Sequence, residues 1–94
     1  LSPLVLVAHI GDKAKEESVK IASGIRNAGF NAIVGPSRGL KSQLKYASTI
    51  KASHSVIIGE DELKEGNFML RNMLEGNQEK CTLEEIIKKL SDIN

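Results

Sequence analysis

The run from Arg38 to Gly66, RGLKSQLKYASTIKASHSVIIGEDELKEG, reads in succession as a helix with a basic face, a buried strand, and an acidic turn closed by a glycine. Leu40, Leu44 and Ala47 recur at helical spacing and give an apolar stripe to a helix from about Gly39 to Lys51. Arg38, Lys41 and Lys45 fall together on an adjoining face that can stay wet. Val56 to Ile58 is the apolar core of the strand, and Glu60-Asp61-Glu62 follows it directly. Between Glu17 and Glu60 there is no carboxylate, whereas the interval holds Lys20, Arg26, Arg38, Lys41, Lys45 and Lys51. Solvated surfaces normally mix both signs, so this one-sided block marks the segment.

Upstream, Leu4 to Ile10 is a near-continuous apolar run, the pattern of a strand covered on both faces. Asp12 is placed as the N-cap of a helix, with Glu16 and Glu17 early in it, where carboxylates suit the dipole. Ala14, Ser18, Ile21, Ala22, Ile25 and Ala28 keep helical spacing, and Gly29 is the stop. Phe30 to Val34 is a second strand, ending at Gly35-Pro36. Strand, helix, strand, helix, strand argues for right-handed parallel crossovers.

Downstream the period changes. Phe68 to Met73 alternates, with Phe68, Leu70 and Asn72 on one face and Met69, Arg71 and Met73 on the other. Glu75-Gly76-Asn77 is a turn from which Gln78 to Cys81 pairs back as a hairpin. Thr82-Leu83-Glu84-Glu85 is a capping box, and Leu83, Ile86, Ile87, Leu90 and Ile93 form an amphipathic helix. The expected fold is α/β, a mixed five-stranded sheet with three helices, as a single domain over residues 1–94. Leu44 and Ile57 are expected in its core. A start at Leu1 without methionine, directly ahead of a strand, points to a piece of a longer polypeptide.

Composition narrows the chemistry. A hydrophobic fraction of 40% and a charged fraction of 27% are ordinary globular values, and a net charge of +1 excludes a histone-like polycation. Attraction for nucleic acid must come from the distribution of charge. The lone Cys81 has no partner for an internal disulfide and favours a reducing compartment. No apolar run reaches the length of a membrane span, and the N-terminal run does not read as a signal peptide. His9, His54 and Cys81 lack neighbours at metal-ligand or nucleophile spacing and read as structural residues. His9-Ile10-Gly11-Asp12 could hold an anion on backbone N–H groups, but the dinucleotide and Walker glycine patterns are absent, so a plain helix start is preferred. No catalytic constellation is visible.

Two surfaces remain. Arg38, Lys41 and Lys45 are either a solvated helix face or a track of cations for a phosphate backbone. Glu60-Asp61-Glu62 is either a polar helix start or a set of acceptors for the amino groups of bases splayed out of a stack. The strand count allows Glu60 to point back to the helix start instead of outward. Arg71 offers a donor fork for a base oxygen or phosphate, or a salt bridge to Glu60 or Glu62. Phe30, Tyr46 and Phe68 are too few aromatics for a single-strand stacking platform.

The series Leu40-Lys41-Ser42-Gln43-Leu44-Lys45-Tyr46-Ala47, then Ser55-Val56-Ile57-Ile58-Gly59-Glu60-Asp61-Glu62-Leu63-Lys64-Glu65-Gly66 and Leu70-Arg71, resembles the C-terminal anticodon-binding domain of class II aminoacyl-tRNA synthetases, most closely the histidyl type. The resemblance covers almost the whole chain and implies the same mixed sheet with three helices. It implies base contacts at Glu60, Glu62 and Arg71, and backbone contacts to the anticodon stem-loop at Arg38, Lys41 and Lys45. It further implies tRNA(His) as partner, a cytoplasmic homodimeric parent, no DNA or membrane partner, and no cofactor in this segment. ATP and magnesium would belong to a catalytic domain elsewhere in the parent chain. One departure, Ser53-His54 where many relatives have Gly or Pro, falls in the loop before the third strand. The same domain also serves non-synthetase proteins, including regulatory paralogues in histidine biosynthesis and a polymerase accessory subunit, so a non-RNA interaction module is the alternative.

Overall fold

The computed structural model describes residues 3–93. The elements run β1 (Leu4–His9), α1 (Asp12–Asn27), β2 (Asn31–Val34), α2 (Leu40–Thr49), β3 (His54–Ile58), α3 (Glu60–Glu65), β4 (Phe68–Asn72), β5 (Gln78–Cys81) and α4 (Leu83–Asp92). They build one mixed sheet in the order β2-β1-β3-β4-β5. β1 is parallel to both β2 and β3, and the β4–β5 hairpin continues the sheet antiparallel to β3. The five strands match the sequence expectation. The helix count does not, because the acidic turn winds into the six-residue α3.

Alternation along β1 explains its unbroken apolar run. Val5 and Val7 face α1 and α4, where they join Ile25, Val56, Ile58, Phe68, Leu70, Ile86 and Leu90. Leu6 and Ala8 face the other way, against Ala47 of α2, Ala52 and Ile57. Ile57 is therefore in the core as expected. Leu44 is only half-buried, and the fully enclosed residue on that side of α2 is Gln43.

Local signals held where the chain itself supplied both partners. Thr82 Oγ1 accepts from the Glu85 N–H at 3.2 Å while Glu85 Oε1 accepts from the Thr82 N–H at 2.9 Å. Gly29 ends α1 in the left-handed region at φ 98°. At the other end of α1 the expectation fails: Gly11 is the N-cap, with no side-chain cap bond, and Asp12 is already helical. The chain leaves β1 through φ 93° at residue 11, a conformation that glycine reaches without cost to a Cβ. α2 ends at Thr49, two residues short of the expected limit, and Lys51 turns the chain at φ 60°. The following loop is tied down by Ser53, whose N–H donates to Leu4 O at 2.9 Å and whose carbonyl accepts from the Met73 N–H at 3.0 Å.

His54 and Cys81 are both buried. Burial pushes the Cys81 thiol above its usual pKa, with the Glu79 charge adding to the effect. Burial lowers the His54 pKa below 6.5, the ring lying 2.9 Å from Ser53 Oγ at Nδ1. Because the fold favours the neutral imidazole, the unfolded chain takes up the proton first as pH falls through about 6.5. Stability contributed by His54 is therefore present above that value and lost below it. Urea midpoints near pH 7.5 and pH 5.5 should separate further for the parent chain than for His54→Asn. Equal separations in the two proteins would refute this role.

Among the described residues, no helix is long and apolar enough to cross a membrane.

Candidate nucleic-acid interface

β1 feeds α1 on one face of the sheet, and its neighbour β2 feeds α2 on the opposite face. Loops from adjacent strands that diverge in this way open a crevice at the strands' C-terminal ends, the usual ligand position in open α/β sheets. Here the crevice is lined by His9, Gly11, Asp12, Lys15, Ser37 and Arg38, and Lys15 Nζ donates to Ser37 Oγ at 2.7 Å across it. A second crevice, between Gly11 and the Glu60–Glu62 turn, shares Ile10 and Gly11 with the first. Arg38 and the acidic turn thus stand at one end of the sheet, with the half-exposed Ile10 between them.

The basic residues lie where helical spacing put them. Arg38 is exposed just ahead of α2, and Lys41 and Lys45 are exposed along it. Tyr46, about 100° further round α2 from Lys45, is 39% exposed and flanks this face. Among the described residues, none of these three cations forms a salt bridge.

The acidic turn divides its labour differently from the strand-count reading. Glu62, not Glu60, turns back: its Oε1 accepts from the Gly59 N–H at 2.8 Å and caps α3. The reason is positional, since Glu62 is the third helical residue after the Gly59 cap, from which a glutamate reaches the cap N–H. Glu60 is exposed and faces outward.

Arg71 is not brought beside either carboxylate. Its backbone pairs with Ser55, three residues below the end of β3, which is about 10 Å along a strand. Its guanidinium donates from Nη1 to Gln78 Oε1 at 3.3 Å, on the β4–β5 hairpin. The salt bridge to Glu60 or Glu62 does not form among the described residues; the acidic side chain that pairs near α3 is Glu65, with Lys80 at 2.9 Å. Arg71 shares the α2 side of the sheet with Met69 and is half-buried there.

Sequence reasoning missed Gln43. It is 0% exposed and holds the end of β1: Oε1 accepts from the His9 N–H at 3.0 Å, while Nε2 donates to His9 O and to Arg38 O, each at 2.7 Å. Its signal was present as a polar residue inside the 40–43–44–47 stripe. His9 is likewise buried, with Nε2 3.0 Å from Gly35 O. No group of three or more metal-ligating side chains occurs among the described residues.

Comparison with known proteins fits this geometry. The family model described as "Anticodon binding domain" matches residues 4–93. The chain belongs to that family of anticodon-binding domains. It is 48% identical over 75 residues to the histidine–tRNA ligase of Methanosarcina acetivorans, covering 80% of this chain and 18% of that protein. The structure of apo S. aureus histidyl-tRNA synthetase superposes with a TM-score of 0.83 at 26% identity, over 95% of this chain and 27% of that one. The RNA binding domain of threonyl-tRNA synthetase from Cryptosporidium parvum gives 0.90 at 21% identity, covering 99% of this chain and 24% of that one, a likeness of fold. The chain spans about a fifth of the length of the curated relatives it matches.

Proposed function

We propose that this chain is the anticodon-binding domain of a histidine–tRNA ligase and binds the anticodon stem-loop of tRNA(His). The observation that carries the reading is the exposed Arg38–Lys41–Lys45 face of α2, whose Arg38 end lies at the same end of the sheet as the outward carboxylate of Glu60, on the fold of an anticodon-binding family. Phosphates supply charge along a track, and cations spaced along a helix follow it. Carboxylates accept from base amino groups, so Glu60, and Glu62 through the oxygen its cap bond leaves over, are assigned to bases. Arg71 is assigned a separate contact, lower on the open part of the sheet. Wrong bases leave these groups unpaired, and that difference in affinity is what couples the anticodon to charging. In this reading the ligase is a cytoplasmic homodimer. Its ATP-dependent, magnesium-assisted step belongs to a catalytic domain outside these residues.

The test is titration of the chain with a histidine anticodon stem-loop and with one of scrambled anticodon. The cognate loop should bind more tightly, and Glu60→Gln should compress the gap by roughly 1–3 kcal/mol, a magnitude typical of single base contacts in DNA sites. Equal binding of both loops by the parent chain would reject base reading and favour an interaction module on the same fold.

A further inference from the structure

We infer that Gln43 is the positioning residue that aims the basic helix and Arg38 at the RNA backbone; the inference rests on the RNA-binding reading above. β2 ends at Val34, so the N–H and C=O of His9 on the β2 side of β1 have no strand to pair with. The Gln43 amide takes that place, accepting from the His9 N–H and donating to the His9 carbonyl as a peptide unit would. Its second N–H donates to the carbonyl of Arg38, a residue whose backbone N–H already donates to Pro36 O at 2.7 Å. The reverse amide orientation would set N–H against N–H and oxygen against two carbonyls, so only one orientation satisfies all three partners.

Two consequences follow for the surface. Lys41 and Lys45 lie two residues before and after Gln43, about 200° around the helix in either sense, so anchoring Gln43 inward turns both outward. Arg38 is held by its own carbonyl, which fixes the root of its side chain relative to β1. An apolar residue would fill the same space but would leave the end of β1 and the Arg38 peptide unheld. A cation in a fixed place meets a phosphate without first losing the freedom of its loop.

The experiment measures affinity for the histidine anticodon stem-loop at several salt concentrations. The proteins are the parent chain, Gln43→Leu, Gly35→Ala, Arg38→Ala, and Gln43→Leu combined with Arg38→Ala, each shown folded by circular dichroism. A Cβ at Gly35 would stand 2.5 Å from Gln43 Oε1, so Gly35→Ala displaces the amide without removing it. Gln43→Leu and Gly35→Ala should each bind about tenfold more weakly, with the salt slope of log affinity reduced by on the order of one unit or less. Adding Arg38→Ala to Gln43→Leu should reduce the slope no further, because one acts through the other. Gln43→Glu supplies a variant whose charge state can be changed in place. Its carboxylate sets an oxygen against the His9 and Arg38 carbonyls, whereas its protonated form can donate to one of them. Lowering the pH should therefore restore affinity to folded Gln43→Glu, measured against the parent chain at the same pH. This arm carries the test if the leucine and alanine variants do not fold. Folded variants with the parent's affinity and salt slope would overturn the positioning role. A parent chain that binds no hairpin would instead overturn the RNA reading, and the inference with it.

Discussion

Leu6→Ala should lower the stability of the chain by about 2–5 kcal/mol, read as a fall in the urea midpoint. Leu6 is fully buried at the centre of the sheet, and three of the other four buried residues in its cluster are alanines: Ala8, Ala47 and Ala52. The alanines have no flexible side chain with which to fill the space that truncation leaves. The longer side chains on the cluster, Met69 and Met73 among them, would have to give up their half-buried positions to do so. Gly35 also flanks Leu6 without a side chain, and a Cβ there would stand 3.3 Å from Leu6 Cδ2. A domain of this size holds about 5–14 kcal/mol in total, so the loss would remove a large share of it. Leu44→Ala is the comparison, because Leu44 packs on the same cluster but is half-buried. Its cost should be closer to 1 kcal/mol. Equal midpoint shifts for the two variants would show that the cluster collapses around the missing side chain.

Reversing all three cations, with Arg38→Glu, Lys41→Glu and Lys45→Glu together, should reduce hairpin affinity on the order of a hundredfold or more at low salt. Each phosphate neutralised on a single strand contributes about 0.7 to the slope of log affinity against log salt, so three contribute about 2. Between about 50 mM and about 200 mM salt the parent should lose roughly twentyfold through these contacts alone. The triple variant should show a nearly flat response. All three side chains are exposed, so the fold should survive the change. The loss should be the same for cognate and scrambled loops, because phosphates carry no sequence. A triple variant with the parent's salt slope would remove α2 from the interface.

The ease of these assignments varies with how far apart in sequence the determinants lie. The Thr82–Glu85 capping box, the Gly29 stop and the β4–β5 turn each depend on residues a few positions apart, and all were legible. The parallel sheet was legible because β1 is apolar on both faces and its crossovers alternate with helices. Asp12 was misplaced as a cap because its side chain suited the role, whereas the backbone angle at Gly11 decided it. The helix at Glu60–Glu65 was too short to show a period, and the cap at Gly59 fixed which glutamate turned inward. Gln43 was hidden for a different reason. Its partners are the backbone groups of His9, 34 residues earlier, and no spacing rule connects them. Arg71 followed Gly66 closely in sequence, but the antiparallel descent of β4 carries it away from the turn.

The sheet's two outer strands bear on how the protein behaves when concentrated. β2 is only four residues long, and β5 presents Gln78, Glu79 and Lys80 in the open, with Lys80 held to Glu65 and Glu79 to Lys89 at 2.5 Å. A strand from another molecule adding to β5 would have to lie against these charges and disturb their pairing. Adding to β2 would gain few backbone hydrogen bonds. Both margins are thus poor templates for aggregation, which leaves the central strands free to be strongly apolar without endangering solubility.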